Sequence, residues 1–493
     1  MISLVCRYFR KKSYPRGVQL ITALMIVFVI GVFGVATAQY ITNEFHLASY
    51  KIDRDTAMEI AESGAEYYRW HLAHVQDDFK DGTGVTGPYV HDYYNAQGVR
   101  IGQFSLTITP PPTGSTVVTI ASTGYLIKSP DLKRTVTIQM GIPSFSQYAV
   151  VANDVMRFGT GTEVFGPIHS NFGIRFDGLA HNLVTSYVAQ YQDPDHVGGP
   201  EFGVHTHISP VDPYPPAAAP NRPDVFAAGR SFPASYVNFT GITVDLGRMQ
   251  TDATASGIAL PLSGVNGYHV KINPNDTVDI TMVSTLATCQ YRTGGRWYSV
   301  ADINSIGSET SFTYKGRSSL GIPFPANGII FLSDDAWVDG NMNGGHLTIV
   351  AAKDPLASGT ANIFINNNLT YTNYDGSDTL GLIAQQNIGV GYYSADILRI
   401  DAAVIAQKGW VRRYYYPPRT ASTWNPANCN QYVYRNTITT FGSIATNQRY
   451  GFAYTDGTGY QIRNLTFDEK LRFAPPPSFP TTGKYSIISW QEK

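Results

Sequence analysis

The chain has 493 residues and a formal net charge of −1, with 15% charged residues, 46 glycines and 32 tyrosines. Its length is typical of two to four domains. The composition favours an exported, β-rich protein and gives no indication of a polyanion-binding surface, so we expect no nucleic-acid partner.

An uncharged stretch between Arg16 and Glu44 is long enough for a membrane-spanning helix, which needs about 20 apolar residues. The residues before it include no acid and five basic residues, which are Arg7, Arg10, Lys11, Lys12 and Arg16. Because basic residues favour the cytoplasmic side, we predict a single-pass membrane protein with a cytoplasmic N-terminus. Its bulk is then periplasmic or extracellular, and the inner membrane is a partner.

Three interpretations of this stretch remain open. It is an ordinary single-span anchor, or a secretory signal peptide that is cut near Ala38, or a prepilin-type leader. In a prepilin the cut follows a glycine on the cytoplasmic side, and the apolar helix stays with the mature protein. The junction of Gly17 and Val18 suits that third interpretation, with residues 1–17 as the cytoplasmic leader.

Helical periodicity continues from Val18 to Lys80. Apolar residues at three- and four-residue spacing form one face, which comprises Ala57, Ile60, Ala61, Gly64, Ala65, Tyr68, Leu72, Val75 and Phe79. Gly82 and Gly84 end the pattern. We expect one long helix whose first half lies in lipid and whose second half packs on a globular domain.

Alternating segments at residues 101–109, 116–121 and 134–140 follow, with proline and glycine turns between them. This pattern predicts a small antiparallel sheet. A helix with an apolar face and such a sheet form one α+β unit over residues 18–141.

Three sequence features carry a family resemblance: the Gly17 junction, the A-x-x-x-A-E-x-G motif that starts at Ala57, and residues 122–125 (Ser-Thr-Gly-Tyr). Over about residues 10–140 the chain resembles the N-terminal region of PilX-type minor pilins, and also the K-type pseudopilins of type II secretion. The resemblance implies that a prepilin peptidase cuts after Gly17. It also implies that other pilins or pseudopilins are partners.

Position 22, the fifth residue after the implied cut, is Thr22. Major pilins carry a glutamate there, which neutralises a neighbouring subunit's N-terminal amine in the apolar filament core, where an unpaired charge is costly. By the resemblance, a subunit without that glutamate suits a minor or tip position. Thr22 is equally compatible with a simple anchor.

From about residue 142 the sequence pattern changes to short β-rich segments with Gly, Asn and Asp at the turns. Each run is too short to be stable alone, but stacked runs bury a continuous apolar column. We predict a β-solenoid, a right-handed parallel β-helix, over residues 142–189 and 325–473. A β-sandwich is the alternative. The sequence further predicts a Pro-rich loop at 190–235, an insert at 236–324 and a Pro-rich tail at 474–493, with a last edge strand near residues 485–490.

Histidines in the Pro-rich loop are the densest group of metal-type ligands. His205 and His207 alternate on an extended segment, so their rings are expected on one side, and His196 lies nearby with Asp193 and Asp195. No diagnostic zinc spacing is present, and solvated loop histidines explain the same residues.

Oxygen-rich turns give a second candidate metal site. Asp334 and Asp339 lie near Asn341 and Asn343, and exported β-proteins often bind calcium through such oxygens. No EF-hand spacing is present, and Asp and Asn at tight turns explain the same residues. No other cofactor is expected.

Two cysteines, Cys289 and Cys429, would both lie in an oxidising compartment, so they form a disulfide or remain two separate buried thiols.

An aromatic and basic cluster forms a candidate binding loop. It comprises Tyr414, Tyr415, Tyr416 and Trp424, with arginines beside them. Exposed aromatic and arginine side chains are typical of binding hot spots. A loop that caps the end of the solenoid is the alternative.

No nucleophile motif, metalloprotease motif or phosphate loop occurs, and we expect no enzyme activity. The sequence therefore predicts a minor pilin or tip subunit of a type IV pilus-like filament that displays a β-helix module for assembly, adhesion or surface contact. Surface glycans or proteins are candidate partners. The alternative is a single-span envelope protein whose β-helix binds or cleaves polysaccharide.

Overall fold

The computed structural model describes residues 16–112, 114–239, 242–293, 296–418 and 429–492. It shows a mainly β protein with one long N-terminal helix and large sheets. The chain divides into two compact units. The first unit comprises Met1–Pro110, Thr119–Gln139 and Ile487–Lys493, and the second comprises Pro111–Val118 and Met140–Ser486.

The long helix α1 of the first unit spans Arg16–His74. The sequence predicted a helix to Lys80, so that prediction was six residues too long. The carboxylate of Asp78 accepts backbone N–H bonds from Lys80 at 2.8 Å and from Gly82 at 2.5 Å. It also contacts the His71 ring at 2.9 Å. These local bonds stabilise a turn in place of another helical turn.

The sheet of the first unit has five strands, which in spatial order are β1 (Tyr89–Tyr94), β2 (Arg100–Thr109), β3 (Val118–Leu126), β4 (Ser129–Gly141) and the C-terminal strand Ser486–Glu492. The pairs β1–β2 and β2–β3 are antiparallel. The C-terminal strand lies at an edge of this sheet, and the sequence predicted an edge strand near residues 485–490. The sequence did not predict β1, whose residues YVHDYY lack a clear apolar alternation.

Helix α1 approaches the sheet at glycines. A Cβ added at Gly124 in β3 would lie 2.3 Å from the Ala57 carbonyl oxygen, and one added at Gly64 would lie 2.3 Å from the Ser122 hydroxyl. The surrounding side chains Ile60 and Leu72 are fully buried. Small residues therefore allow helix backbone and sheet backbone to come within van der Waals contact, and the A-x-x-x-A-E-x-G motif lies at this contact.

We predict that Gly124→Val destabilises the first unit, because its side chain overlaps the helix backbone and overpacking costs about 1–3 kcal/mol. The measurement is urea unfolding of the full chain in detergent, with hydrogen exchange of β2–β4 as the local readout. Thr107→Val is the matched control, since Thr107 is exposed on the adjacent strand β2. Equal unfolding curves for both variants would contradict this close packing.

The second unit consists mainly of short parallel strands, which we group into ladders A, B and C. Ladder A contains, in pairing order, Ile258–Leu260, Ile329–Leu332, His346–Ala351, Thr379–Ala384, Ile397–Ala406, Tyr434–Thr446, Val150–Ala152, Ile168–Ser170, Val184–Ser186 and Arg230–Ser231. Among the described strands of this unit, antiparallel pairing, which a β-sandwich requires, occurs in the strand pairs described below.

The name ladder B covers two parallel sets that belong to two different sheets. One set is Tyr268–Asn273, Ala336–Met342, Ile363–Phe364, Ile388–Val390 and Val411–Arg413, and the other is Met156–Phe158, Ile174–Phe176 and Val204–His205. Ladder C contains Ala336–Met342, Leu369–Tyr371, Ile397–Ala406, Tyr434–Thr446, Gly459–Phe467, Thr162–Phe165 and Leu179–Ala180.

The second unit also contains antiparallel strand pairs. They pair Gln190–Tyr191 with Glu201–Phe202, Tyr268–Asn273 with Thr277–Leu286, Thr277–Leu286 with Ile306–Thr310 and Ile322–Pro323, Gln290–Thr293 with Arg296–Ser299, and Thr313–Tyr314 with Arg317–Ser318. Short 3₁₀ helices span Asn430–Tyr432 and Glu469–Arg472.

The stacking order differs from the chain order. In ladder A, Tyr434–Thr446 pairs with Val150–Ala152, so a late strand lies beside the first one of the unit. Along the sequence, helix α2 (Ile242–Ser256) lies between Arg230–Ser231 and Ile258–Leu260. These two strands are the opposite ends of ladder A. The predicted loop at 190–235 and insert at 236–324 therefore both contribute ladder strands. Strands of two or three residues, such as Val204–His205, are too short to give a periodic signal.

Ladder A is buried on both faces. Ile330, Leu332 and Ile349 face the main core, while the alternating residues Phe331 and Val350 join a second core. The side chains of α2 that complete this second core are Leu246, Met249 and Ala253. Burial on both faces explains the uninterrupted apolar runs in these strands.

Candidate functional site

The first half of α1 has an exposed apolar surface. By length and composition, the helix from Gln19 to His74 is able to cross a membrane, and its most apolar window is not buried by any other part of the described structure. Phe28 and Phe33 are 72% and 68% exposed. Thr22 lies in this segment, and Gly17 and Val18 lie in the first turn of α1. Residues 1–15 of the predicted leader lie outside the described residues.

The second candidate site is a cluster of histidines and carboxylates on ladder B. His205 lies on the strand Val204–His205, whose parallel neighbour places Arg175 beside it. The hairpin of Gln190–Tyr191 and Glu201–Phe202 carries Asp193 and His196 in its connection. The structure thus gathers residues 193, 196, 201, 205 and 207, and we call this group the histidine cluster.

Two triads within the histidine cluster have metal-binding geometry. One is Asp193, His205 and His207, and the other is His196, Glu201 and His207; within each triad one ligand atom per residue lies within 4.8 Å of the others. The His205 and His207 ring centroids are 5.1 Å apart, on one side as the sequence predicted. Sequence reasoning missed Glu201, although it lies four residues before His205.

Several contacts hold the side chains of the histidine cluster. Glu201 Oε1 lies 3.2 Å from His207 Nε2 and 3.3 Å from His196 Nδ1. The Asp195 backbone N–H donates to Asp193 Oδ1 at 2.9 Å, which leaves Oδ2 directed to His205 Nε2 at 3.6 Å. Asp195 itself pairs with Arg157 and Arg449 instead of the histidines.

The electrostatics of the histidine cluster favour neutral His207 and ionised Asp193. Burial, followed by the charge of Arg175, lowers the pKa of His207. Burial alone raises the pKa of Asp193, but the His205 ring, the Asp195 backbone N–H and Arg175 outweigh burial and lower that pKa to about 2. A neutral imidazole and a carboxylate are the protonation states in which these side chains bind a metal ion.

Asp334 and Asp339 are engaged by protein groups and do not converge on one site in the described residues. Asp334 accepts from Ser263 and pairs with Lys353 at 3.1 Å. Asp339 lies 3.3 Å from His269 Nε2 and accepts from Asn367. The sequence offered tight turns as the alternative to calcium binding, but Asp339 lies within the strand Ala336–Met342.

A disulfide joins Cys289 to Cys429, with 6.1 Å between the Cα atoms. That distance lies within the ordinary range of about 4.4–6.8 Å. Both cysteines are buried in a small core with Tyr392 and Tyr416.

Two of the three described tyrosines in the candidate binding loop are buried or half-buried. Tyr416 is 3% exposed and donates to the Asp302 carbonyl at 2.6 Å, and Tyr414 is half-buried against Trp410. Only Tyr415 of these three tyrosines is exposed, at 51%. Trp424 lies outside the described residues. Tyr414 and Tyr416 therefore pack against other residues of the second unit, which differs from the exposed binding loop that the sequence predicted.

No protein-family model and no curated protein matches the chain. Among solved structures, the chain is similar to the competence-associated pilin ComZ from Thermus thermophilus. The two share 13% sequence identity over 90% of this chain and 97% of that chain, with a TM-score of 0.29. A TM-score this low decides neither the fold nor the function.

We predict that Cys289→Ser lowers the free energy of unfolding by about 2–4 kcal/mol, because it removes a cross-link between segments 140 residues apart. Denaturant unfolding of the oxidised full chain measures this change. Cys6→Ser is the control, since Cys6 is not part of this disulfide, and it should leave the midpoint unchanged. An unchanged midpoint for Cys289→Ser would show that the cross-link does not stabilise the fold.

His269 should give the second unit a measurable pH dependence. Burial by itself lowers the pKa of His269, but Asp339 and Glu309 outweigh burial and raise that pKa above its ordinary value. Protonated His269 therefore stabilises the fold fully below about pH 6.5, and this contribution is lost as the pH rises through the raised pKa. The difference in unfolding free energy between wild type and His269→Gln should shrink over that window.

Asp339→Asn with Glu309→Gln is the control for this prediction, because it removes the two charges that raise the pKa of His269. In the double variant, the change in unfolding free energy caused by His269→Gln should no longer become smaller as the pH rises from 6.5. If the difference in unfolding free energy between wild type and His269→Gln stays constant over this pH window, the assignment of the pH dependence to His269 is contradicted.

Proposed function

We propose that this chain is a minor pilin or tip subunit of a type IV pilus-like filament, with a structural and not a catalytic role. The supporting observation is α1, a continuous helix whose first half is apolar and exposed and whose second half packs on an antiparallel sheet through Gly64 and Gly124. This arrangement suits a subunit that is held in the inner membrane before assembly and by other pilins afterwards.

The exposed apolar half of α1 needs a covering. An apolar surface of this extent is rare on soluble monomers and marks contact with a membrane or with other proteins. Lipid covers it in an anchored subunit, and neighbouring helices cover it in a filament. A filament role therefore explains why α1 continues without a break from its exposed apolar first half into the second half that packs on the sheet.

Thr22 supports the minor or tip position within that proposal. Its side chain carries no carboxylate that could neutralise a neighbouring subunit's amine in an apolar core. A subunit that is incorporated rarely, or that lies at the end of the filament, tolerates this difference.

The displayed module is proposed to be a β-solenoid. Ile397–Ala406 takes part in ladder C through Ile400 and in ladder A through Ala403–Ala406, so one strand turns from one ladder into the next. Tyr434–Thr446 does the same, with Gly442 at the turn, where a Cβ would lie 2.1 Å from the Ala402 carbonyl oxygen. Successive coils then present a long surface for adhesion to surface glycans or proteins.

Processing of the N-terminus tests the pilin proposal. In cells with a prepilin peptidase, we expect intact mass and N-terminal sequencing to give a mature protein that starts at Val18. Gly17→Leu should abolish this cut, and the chain should be lost from sheared surface filaments. A wild-type chain recovered there in much smaller amount than the major subunit supports the minor position.

Gly31→Leu is the matched control, because it introduces the same side chain into the same helix at a position where an added Cβ would meet no atom within 4 Å apart from the adjacent helix backbone. It should be cut normally. An uncut wild-type chain, or a cut near Ala38, would overturn the pilin proposal.

A further inference from the structure

We propose that Asp193, His205 and His207 bind one divalent transition-metal ion of the zinc class on ladder B. This proposal is independent of the filament role, because all three residues belong to the second unit and none belongs to α1.

Buried polar atoms without hydrogen-bond partners are the first observation that supports a ligand. His205 is fully buried and Asp193 is 2% exposed, yet His205 Nε2 and Asp193 Oδ2 both lack a hydrogen-bond partner. Their separation of 3.6 Å is too long for a hydrogen bond. Buried polar groups are rarely left in this state, so each such atom needs an explanation.

The spacing of these atoms is the second observation. Two ligands of a tetrahedral zinc ion, each about 2.1 Å from the ion, lie about 3.4 Å apart. The 3.6 Å between His205 Nε2 and Asp193 Oδ2 is close to that value. One ligand atom each of Asp193, His205 and His207 lies within 4.8 Å of the other two, so a small side-chain adjustment completes three protein ligands. Water then occupies the fourth position, as in open zinc sites.

The outer contacts of the three residues match those that orient metal ligands. Histidine ligands usually contact a polar group through their second ring nitrogen. The Tyr191 hydroxyl lies 3.4 Å from His205 Nδ1, and the buried Glu201 carboxylate lies 3.2 Å from His207 Nε2. The backbone N–H of Asp195 holds the other oxygen of Asp193. These contacts leave His205 Nε2 and Asp193 Oδ2 directed to each other.

The charges and ligand types point to a transition metal. Asp193 and Glu201 supply two negative charges, and Arg175 is paired with Asp177 at 2.7 Å while lying 3.7 Å from Asp193. Imidazole suits zinc, copper and nickel, whereas calcium and magnesium prefer oxygen ligands. We therefore expect zinc or cobalt(II) to bind and calcium not to compete.

Metal titration of the full chain in detergent tests the proposal. After treatment with a chelator, we expect one Zn²⁺ or Co²⁺ per chain, with a visible Co²⁺ absorption of tetrahedral type that Zn²⁺ removes. His205→Gln and Asp193→Asn should abolish stoichiometric binding, and Glu201→Gln should weaken it about 10–100-fold as the loss of an outer contact. His346→Gln is the control and should bind normally.

Folding is checked by near-ultraviolet circular dichroism of each variant without metal. His205→Gln and Asp193→Asn are nearly isosteric, so at least one is expected to remain folded. No stoichiometric binding by the folded wild type would overturn the proposal. Retained binding in a folded His205→Gln variant, loss of binding only in His196→Gln, or competition by Ca²⁺ would also overturn it.

Discussion

Backbone pairing between short parallel strands is the constraint on which the second unit depends. A strand of three residues, such as Val150–Ala152, cannot satisfy its N–H and C=O groups or bury its side chains alone. It pairs with Tyr434–Thr446 on one side and Ile168–Ser170 on the other. The early and late parts of the unit therefore complete one another. Side-chain hydrogen bonds between asparagines link the same three strands at their ends: Asn153 donates to Asn447 and accepts from Asn171.

The second face of ladder A imposes a further requirement. Its outward side chains are as apolar as its inward ones, so a bare outer face would leave a large apolar surface in water. Helix α2 covers that face with Leu246, Met249 and Ala253. Helix α2 is thus part of the core, and tertiary packing stabilises it.

The histidine cluster depends on the same construction. Ladder B fixes His205 next to Arg175, and the hairpin that ends at Phe202 brings Asp193 and Glu201 over that strand. The cluster is therefore built on paired backbone with a short connection above it. This placement accounts for the burial of Asp193, Glu201 and His205 in a region that its proline content marks as a surface loop.

The sequence by itself determined the features that depend on local spacing. The apolar run to Ala38, the three- and four-residue spacing from Ala57 and the alternation in β2 to β4 each reflect one element, so α1 and most of its sheet could be predicted. The mainly β character of the rest was also readable, as was the alternation that puts His205 and His207 on one side.

Only the tertiary structure decided the features that depend on distant pairing. The ladder strands inside residues 190–324 and the order in which strands stack depend on partners far along the chain. The same is true of the burial of Tyr416, whose hydroxyl donates to the carbonyl of the distant residue Asp302. Strands of two or three residues are too short to show a periodic pattern in the sequence. Their stability comes from neighbouring strands that the local sequence does not specify.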